Sequence, residues 1–200
     1  MTQKHISQTN RTLCKMRVIA GTAKGRPLVA PSGMNTRPIT DKIKGALFNS
    51  WQLRIVDSKF LDLFAGSGSM GIEALSRGAE KVIFVEKDRK AVDVIKKNLV
   101  ACKFTNGYEV CKADVFHKIE CLKAESEQFD IIYLDPPFTI DEIFIPAMDA
   151  LSDGKLLSKD GIIVIRTKKE KEMPDEFGKL KKYKFKLYGI SGVHFYVVTL

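Results

Sequence analysis

Short runs of hydrophobic residues, separated by amphipathic stretches, follow one another along the chain from residue 60 onwards. The runs predict five strands, at Phe60–Phe64, Val82–Glu86, Tyr108–Cys111, Phe129–Leu134 and Gly161–Arg166. Helical stretches lie between the first three strands, over Gly71–Ser76 and Lys90–Ala101. Because strands that alternate with helices pair in parallel through right-handed crossovers, the pattern predicts a doubly wound, mostly parallel α/β fold.

The last part of the chain follows a different pattern. Two strands are predicted at Tyr183–Ile190 and Val193–Leu200, and only Ser191 and Gly192 separate them. A two-residue connection joins antiparallel neighbours, so we expect a hairpin that completes a seven-stranded sheet. The segment Glu170–Lys182 is rich in lysine and glutamate and is expected to be a solvated connection.

The first 59 residues form a separate N-terminal extension in this interpretation, and residues 60–200 form the α/β domain. Within the extension, Arg17–Val29 predicts a hairpin around glycine-containing turns. Thr40 or Asp41 is suited to cap a helix that runs to Trp51. The apolar residues of this helix recur at spacings of four, one and three, which places them on one face: Ile43, Leu47, Phe48 and Trp51.

Positive charge is concentrated in this extension. The 200-residue chain has a net charge of +9, yet residues 1–59 hold 11 basic and 2 acidic side chains, and residues 60–200 hold 22 of each. Clustered positive charge binds phosphates without reading sequence, so a polyanionic partner is one interpretation. The alternative is that scattered lysines and arginines only keep the protein soluble.

Several classes of protein are not expected from this sequence. No apolar run approaches the roughly 20 residues of a membrane span, so we expect no membrane partner. The first fifteen residues lack the apolar core of a secretory signal, although their composition faintly resembles an organellar transit peptide. The four cysteines and three histidines show no metal-ligand spacing. We therefore expect a cytoplasmic protein with reduced thiols and no metal site.

A glycine-rich turn follows the first predicted strand, in the segment Phe60-Leu-Asp-Leu-Phe-Ala-Gly-Ser-Gly-Ser-Met-Gly. Gly66 and Gly68 permit a tight turn and let a ligand approach the main chain, and a helix is expected to begin at Gly71. Glu86 ends the second strand, where a carboxylate accepts hydrogen bonds from both hydroxyls of a ribose. The combination predicts a nucleoside ligand. An acid that only supports the start of the next helix, at Asp88, is the structural alternative.

A second motif, Asp135-Pro-Pro-Phe138, ends the fourth predicted strand. The carboxyl edge of an open α/β sheet is where ligands bind, and two prolines make the loop stiff and remove two amide donors. Asp135 and the carbonyl of Pro136 are placed to accept hydrogen bonds from an amino group, with Pro137 as the second stiffening residue. Phe138 offers a flat face for stacking a base. An ordinary proline-containing turn with a core phenylalanine is the alternative.

With these two motifs in this order, the chain resembles the class I S-adenosylmethionine-dependent methyltransferases that modify exocyclic amines. Within that class it looks most like the bacterial 16S ribosomal RNA guanine-N2 methyltransferases of the RsmD type, from about Met16 to the C-terminus. The residues that carry this closer resemblance are Arg17-Val-Ile-Ala-Gly, Lys24-Gly-Arg-Pro-Leu, Thr36-Arg-Pro-Ile-Thr-Asp and Leu47-Phe-Asn. The glycine-rich turn and Asp-Pro-Pro-Phe by themselves identify only the wider class.

The resemblance implies a site for S-adenosylmethionine. Asp62 would hold the methionine part of the cofactor together with the backbone of Phe64, Ala65, Gly66, Ser67 and Gly68, and Gly71 completes the glycine pattern. Glu86 would bind the ribose, with Lys87 beside the adenine. Asp114 would accept from the adenine amine while Val115 packs on the ring. Thr40 and Asp41 would close the methionine end. Without the resemblance, Asp114 would be interpreted as a helix cap.

The resemblance also implies the reaction and the partner. The expected activity is methyl transfer to the N2 amine of a guanine in small-subunit ribosomal RNA, either as naked RNA or within an assembling subunit, by a protein that we expect to be a monomer. The catalytic residues would be Asp135, Pro136, Pro137 and Phe138. Contacts with RNA phosphates are expected from four residues of the extension: Arg17, Lys24, Arg26 and Arg37.

Other functions remain open at this point. Methyltransferases that act on adenine N6, cytosine N4 or protein glutamine share both motifs. A pyrimidine-C5 methyltransferase needs a cysteine nucleophile, and none stands in the Pro-Pro loop. A nicotinamide oxidoreductase would share the glycine turn and Glu86 but would leave Asp-Pro-Pro-Phe unexplained. A silent RNA-binding assembly factor would have no need of Asp135 and Glu86.

Overall fold

The computed structural model describes residues 16–31 and 39–199, and within them the mostly parallel α/β prediction is confirmed. The helices are α1 (Asp41–Ser50), α2 (Gln52–Ile55), α3 (Ser69–Ser76), α4 (Arg89–Ala101), α5 (Val115–Ala124) and α6 (Phe144–Asp149). The strands are β1 (Lys59–Leu63), β2 (Lys81–Glu86), β3 (Tyr108–Lys112), β4 (Phe129–Leu134), β5 (Leu157–Lys168), β6 (Glu176–Phe177), β7 (Leu180–Tyr188) and β8 (Ser191–Val198).

One sheet contains all of these strands, in the order β3-β2-β1-β4-β5-β8-β7-β6. The five strands from β3 to β5 are parallel, whereas β8 runs antiparallel to both β5 and β7. Because β1 pairs with β2 on one side and with β4 on the other, the connections diverge at β1. A crevice therefore opens outside the carboxyl ends of β1 and β4, which is where ligands bind in open α/β sheets.

Two expectations about the end of the chain are wrong. The hairpin turns at Gly189 and Ile190, with Tyr188 paired to Ser191, so Ser191 and Gly192 belong to β8. Gly189 has φ +59°, which suits a tight turn. Gly192 serves packing instead, since a Cβ there would lie 3.0 Å from the Phe185 ring and from the Thr167 hydroxyl.

The segment Glu170–Lys182 is also more than a solvated connection. It contains β6 and the start of β7, which makes the sheet eight-stranded within the described residues rather than seven-stranded. Met173, Phe177 and Leu180 are buried against the sheet. These three apolar residues, hidden among lysines and glutamates in the sequence, bring the segment into the core.

Helices cover both faces of the sheet. On one face, α1, α3 and α4 pack with the extension in a core that contains Val18, Leu47 and Phe60. On the other face, α5 and α6 pack against residues such as Leu61 and Ile163. The described part of the extension therefore shares one hydrophobic core with the α/β domain.

The predicted capped helix of the extension is confirmed as α1. The Thr40 side chain accepts a hydrogen bond from Ile43 N, as an N-cap does, and the predicted apolar face is buried. The helix of the glycine motif begins at Ser69, two residues before the expected start at Gly71. Gly68, with φ +74°, is its N-cap and places the turn earlier than the glycine spacing suggests.

The predicted hairpin of the extension is present as antiparallel pairing around an isolated bridge between Arg17 and Pro27. Val18 N donates to Arg26 O (3.0 Å) and Gly25 N donates to Val18 O (2.9 Å). Two regular strands, as a full hairpin would have, are not formed within residues 16–31, since the only ladder pairing there is this single bridge.

A buried carboxylate on α3 fastens this hairpin to the domain. Glu73 accepts from Ile19 N (2.8 Å) and Ala20 N (3.0 Å), and it forms ion pairs with Lys44 (3.3 Å) and Arg77 (2.8 Å). Burial lowers the pKa of Lys44, and the charge of Glu73 opposes this. Lys44 is thus one positive charge of the extension that is enclosed in the protein.

Candidate active site

A cavity of about 650 Å³ opens at the carboxyl ends of β1, β2 and β4. This volume lies within the range of sites for small molecules. The extension contributes part of the wall through Met16, Ala30, Pro31 and Ile39. Residues after β3 and near the end of β5 also line it, so the ends of all five parallel strands and the extension surround one space.

The glycine-rich loop after β1 forms one side of this cavity. Phe64, Ala65, Gly66 and Ser67 all line it, and Phe64 and Gly66 have φ angles of +61° and +56°. Since little lies near a Cβ built on Gly66, its missing side chain leaves space beside the main chain. The loop brings its backbone to the cavity, as the sequence motif predicted.

Glu86 supports this loop from the end of β2. Its Oε2 accepts from Gly66 N (2.8 Å), and its Oε1 accepts from Asp88 N (2.9 Å). Because each carboxylate oxygen has two lone pairs, Glu86 can hold both backbone groups and still accept from a ligand hydroxyl. Glu86 is buried and lines the cavity. The functional and the structural interpretations of this residue are therefore compatible.

Asp62, on β1, presents a buried carboxylate to the same cavity. Burial raises its pKa well above the ordinary value, and the charges of Asp135 and Glu86 add to this effect. The hydrogen bond that its Oδ2 accepts from Gly71 N (3.0 Å) opposes the shift. A cation bound nearby would stabilise the ionised form, so this environment favours a positively charged ligand.

Arg166, near the end of β5, contacts the Asp-Pro-Pro-Phe motif. The sequence alone did not identify this residue. Arg166 Nε donates to Asp135 Oδ1 (2.9 Å), and its Nη2 donates to Asp135 Oδ2 (2.8 Å). The guanidinium carbon lies 4.8 Å from the centre of the Phe138 ring. Although burial lowers the pKa of Arg166, the charge of Asp135 leaves it above its ordinary value, so the pair is ionic. Pro136 and Pro137 line the cavity beside it.

Asp114, Val115 and Lys87 line the opposite part of the cavity. The Asp114 side chain is the N-cap of α5, where its Oδ1 accepts from Phe116 N (3.0 Å) and His117 N (3.4 Å). Asp114 is therefore a helix cap, as its residue type alone suggested. The cap uses Oδ1, and Asp114 also lines the cavity.

Negative charge predominates in this wall. Six acidic and three basic side chains of the described residues line the cavity: Asp62, Glu86, Asp88, Asp114, Asp135 and Glu170 against Lys87, Arg166 and Lys168. One of the bases, Arg166, is paired to Asp135. An acidic cavity in a basic protein favours a cationic ligand over a phosphate group.

Three expected cofactor residues have other contacts in the structure. Thr40 is exposed and caps α1, while its neighbour Ile39 lines the cavity. Gly68 caps α3. Gly71 lies against β2, where a Cβ would come within 2.2 Å of the Phe84 ring. Gly68 and Gly71 therefore shape the loop and the helix rather than the cavity wall.

Three of the four expected RNA contacts, Arg17, Lys24 and Arg26, lie outside the cavity wall. Lys24 and Arg26 are exposed on the hairpin of the extension. Arg17 is also exposed and forms an ion pair with Asp41 (2.9 Å). Arg37 lies outside the described residues.

Only its place at the end of a predicted strand could have indicated from the sequence that Arg166 belongs to the site. It is the last residue of the predicted strand Gly161–Arg166, at the same sheet edge as Asp135, and the two residues are 31 positions apart. A basic residue at that edge beside an acidic motif was the clue, but the register of β4 and β5 was needed to pair them.

The described residues contain no group of three or more His, Cys, Asp or Glu side chains that is arranged to hold a metal ion. Among the helices in the described ranges, none is long and apolar enough to cross a membrane.

An open parallel sheet that ends in an antiparallel hairpin, with a glycine loop after β1, an acid at the end of β2 and Asp-Pro-Pro-Phe after β4, defines the class I methyltransferase fold. Residues 16–197 match the family model described as "Conserved hypothetical protein 95". The chain belongs to this family, the RsmD family.

Relatives of known sequence and structure agree with this assignment. YlbH of Bacillus subtilis is 39% identical over 90% of this chain and 98% of its own length. Ribosomal RNA small subunit methyltransferase D of Haemophilus influenzae is 36% identical over 88% of this chain and 91% of its own. The solved structure of yhhF from Escherichia coli is 30% identical, with a TM-score of 0.77 over 91% of this chain and 97% of its own.

Proposed function

We propose that this protein transfers a methyl group from S-adenosylmethionine to the N2 amine of a guanine in small-subunit ribosomal RNA. One observation carries the proposal: the Asp135–Arg166 ion pair beside Phe138 lies in the wall of an acidic cavity formed by the glycine loop. A relative in the same family is named as a ribosomal RNA small subunit methyltransferase. Ribosomal RNA as substrate also favours a cytoplasmic protein.

The charge and the volume of the cavity suit S-adenosylmethionine. Asp62 and Glu86 line the cavity. Asp62 would hold the ammonium group of the methionine part, and Glu86 would accept hydrogen bonds from the ribose hydroxyls. Asp114, Val115 and Lys87 would surround the adenine. When bound, S-adenosylmethionine supplies a methyl group on a positively charged sulfur, so the acidic wall complements its charge.

The protein's task at the acceptor is orientation. The lone pair of an exocyclic guanine amine is delocalised into the ring, so the amine is a weak nucleophile. Asp135 and the Pro136 carbonyl would accept hydrogen bonds from its two N–H groups and so turn the nitrogen lone pair towards the cavity. Correct alignment of reacting groups is worth several kcal/mol in other systems.

Arg166 fixes the direction of the Asp135 carboxylate. Two parallel hydrogen bonds hold the plane of the carboxylate, and the remaining lone pairs are available to the amine. The same carboxylate is positioned to take the proton that the amine loses. Phe138, with the guanidinium against its ring, would stack on a base that has left its helix or is already unpaired.

The test is an acceptor assay with methyl-labelled S-adenosylmethionine. The purified protein is incubated in parallel with small ribosomal subunits, naked small-subunit RNA, DNA and protein, and the labelled RNA is digested to nucleosides. We expect label in RNA alone, in N2-methylguanosine. Label in N6-methyladenosine would contradict the guanine assignment, and label in DNA or protein would contradict the RNA substrate.

A further inference from the structure

Lysine alternates with aromatic and aliphatic residues along β7, in the sequence Lys-Lys-Tyr-Lys-Phe-Lys-Leu-Tyr from Lys181 to Tyr188. Residues 179–200 contain five lysines and no acidic residue, whereas residues 60–178 contain 17 basic and 22 acidic side chains. The neutral balance of residues 60–200 is therefore an average over an acidic body and a basic C-terminal hairpin.

This strand lies at an open edge of the sheet. β6 pairs only with Leu180 and Lys181, so beyond them the outer edge of β7 has no strand partner among the described residues. The hairpin then leads to the cavity, because Ile190, in its turn, lines the cavity wall. The edge of β7 and the proposed active site are thus parts of one continuous surface.

Large apolar side chains are exposed along this edge. Tyr183, Phe185, Leu187 and Ile190 have exposed fractions of 51%, 45%, 60% and 50%. Two of the rings are held by neighbours, since Phe185 lies 4.6 Å from the His194 ring and Tyr183 lies 6.1 Å from the Phe195 ring. Because His194 and Phe195 are consecutive residues of β8, Phe185 and Tyr183 lie on opposite faces of this edge, and each ring is partly exposed. Exposed apolar side chains of this size mark interaction sites.

The lysines in the centre of the strand are not neutralised by carboxylates. Lys182 lies 2.7 Å from Asp175, and Lys181 lies 3.7 Å from Glu176. In contrast, Lys184 and Lys186 have no carboxylate within 4.0 Å among the described residues. The ammonium of Lys184 lies 5.2 Å from the centre of the Phe195 ring. Positive charge is thus available beside the exposed rings.

We propose that β7 is a binding surface for single-stranded RNA, which its turn directs towards the cavity. Proteins bind single strands by combining cationic grooves that follow the phosphates with aromatic side chains on which bases stack. β7 offers both, and its charge is complementary to phosphate, whereas edge-to-edge pairing with β7 of a second copy would bring lysines of the two strands together. The inference rests on the proposed RNA substrate and adds the C-terminal hairpin to the expected contacts of the extension.

The test compares two double variants with a matched control. Lys184→Gln/Lys186→Gln removes the two unneutralised charges, and Tyr183→Leu/Phe185→Leu removes the aromatic planes while keeping apolar packing. The control, Lys103→Gln/Lys159→Gln, removes two exposed lysines that also lack carboxylate partners in the described residues. Lys159 lies on β5, towards the end of the strand away from the cavity. The probe is a labelled oligouridylate of about 16 nucleotides.

We expect the lysine variant to bind this RNA roughly ten-fold more weakly at about 0.1 M salt. Its plot of log K against log salt should be less steep, with the magnitude of the negative slope reduced by about 1.4. The aromatic variant should bind roughly 5- to 100-fold more weakly with an unchanged slope. The control should bind like the wild type. Cofactor affinity, measured by calorimetry on the same preparations, should be equal in all four proteins.

Each alternative has its own outcome. If the wild type methylates ribosomal RNA and both β7 variants bind RNA like the control, this inference is wrong and the proposed function stands. If the variants lose RNA binding but the wild type transfers no methyl group to RNA, the surface is supported and the proposed function fails. A dimer in sedimentation that the aromatic variant abolishes, with RNA binding unchanged, would assign β7 to a second copy and overturn the inference.

Discussion

At the scale of single residues, Asp135 is oriented by a partner from another strand. Asp135 belongs to the Asp-Pro-Pro-Phe motif that the sequence revealed. The orientation of its carboxylate is fixed by Arg166 on β5, which donates two hydrogen bonds of 2.9 and 2.8 Å to it. Asp135 was predictable because Asp-Pro-Pro-Phe is continuous in sequence. Arg166 was not, since its role depends on strand register rather than on its neighbours in the chain.

Replacing Arg166 with lysine tests this positioning role. Lysine keeps the charge but cannot form the two parallel hydrogen bonds, so we expect kcat to fall by about 100-fold while cofactor affinity is retained. Steady-state kinetics with ribosomal RNA and cofactor calorimetry give the two quantities. Arg89→Lys, at an exposed position outside the cavity, is the control. An Arg166→Lys protein with wild-type kcat would show that the paired geometry is unnecessary.

Glu86 joins the glycine loop to the expected ribose position. In Glu86→Gln, one oxygen that accepts a backbone hydrogen bond becomes a donor, so we expect both the loop and the ligand contact to be weakened. The loss of about 2 kcal/mol typical of a charged hydrogen bond corresponds to roughly 30-fold weaker cofactor binding. Calorimetry measures it, with the exposed Glu80→Gln as control. Equal affinities in the two variants would remove Glu86 from the cofactor site.

At the scale of secondary-structure elements, the hydrophobic runs located the strands of the parallel sheet, because buried parallel strands are apolar on both faces. The same pattern failed near the C-terminus for two physical reasons. Gly192 was interpreted as a turn residue, although its lack of a side chain accommodates Phe185 and Thr167. Met173 and Phe177 were hidden among charged residues, so the strand β6 was not predicted.

The contact between α3 and the extension depends on Glu73. Glu73→Ala leaves the buried Lys44 without its carboxylate and two backbone amides without their acceptor, so we expect a loss of about 3–5 kcal/mol in the free energy of unfolding. Denaturant unfolding measures it. Glu120→Ala, which removes an exposed ion pair with Lys123, should change stability by less than about 1 kcal/mol. Equal losses in both variants would contradict the anchoring role.

At the scale of the whole molecule, acidic and basic side chains occupy different regions. The cavity wall is acidic, and exposed lysines and arginines lie on the extension and on β7. The excess of the extension was visible in the sequence. The lysines of β7 are masked in the total for residues 60–200, because acidic residues earlier in the domain balance them, and the fold shows that these lysines lie on an edge strand.

Neutralising the extension tests its share of RNA binding. Lys24→Gln/Arg26→Gln removes two exposed cations of the hairpin. We expect the negative slope of log K against log salt for single-stranded RNA to decrease in magnitude by about 1.4. Filter binding over a range of salt concentrations measures the slope, with Lys103→Gln/Lys159→Gln as control. An unchanged slope would show that these residues do not contact RNA phosphates and would favour the alternative that they only keep the protein soluble.

We propose that the Asp135 loop holds the acceptor amine for methyl transfer from a cofactor bound in the acidic cavity. The most direct test of this proposal is Asp135→Ala, with cofactor binding and methyl transfer to small-subunit ribosomal RNA measured on one preparation. We predict that transfer is abolished while cofactor affinity stays close to that of the wild type. A fully active Asp135→Ala protein would contradict the role of Asp135 in methyl transfer.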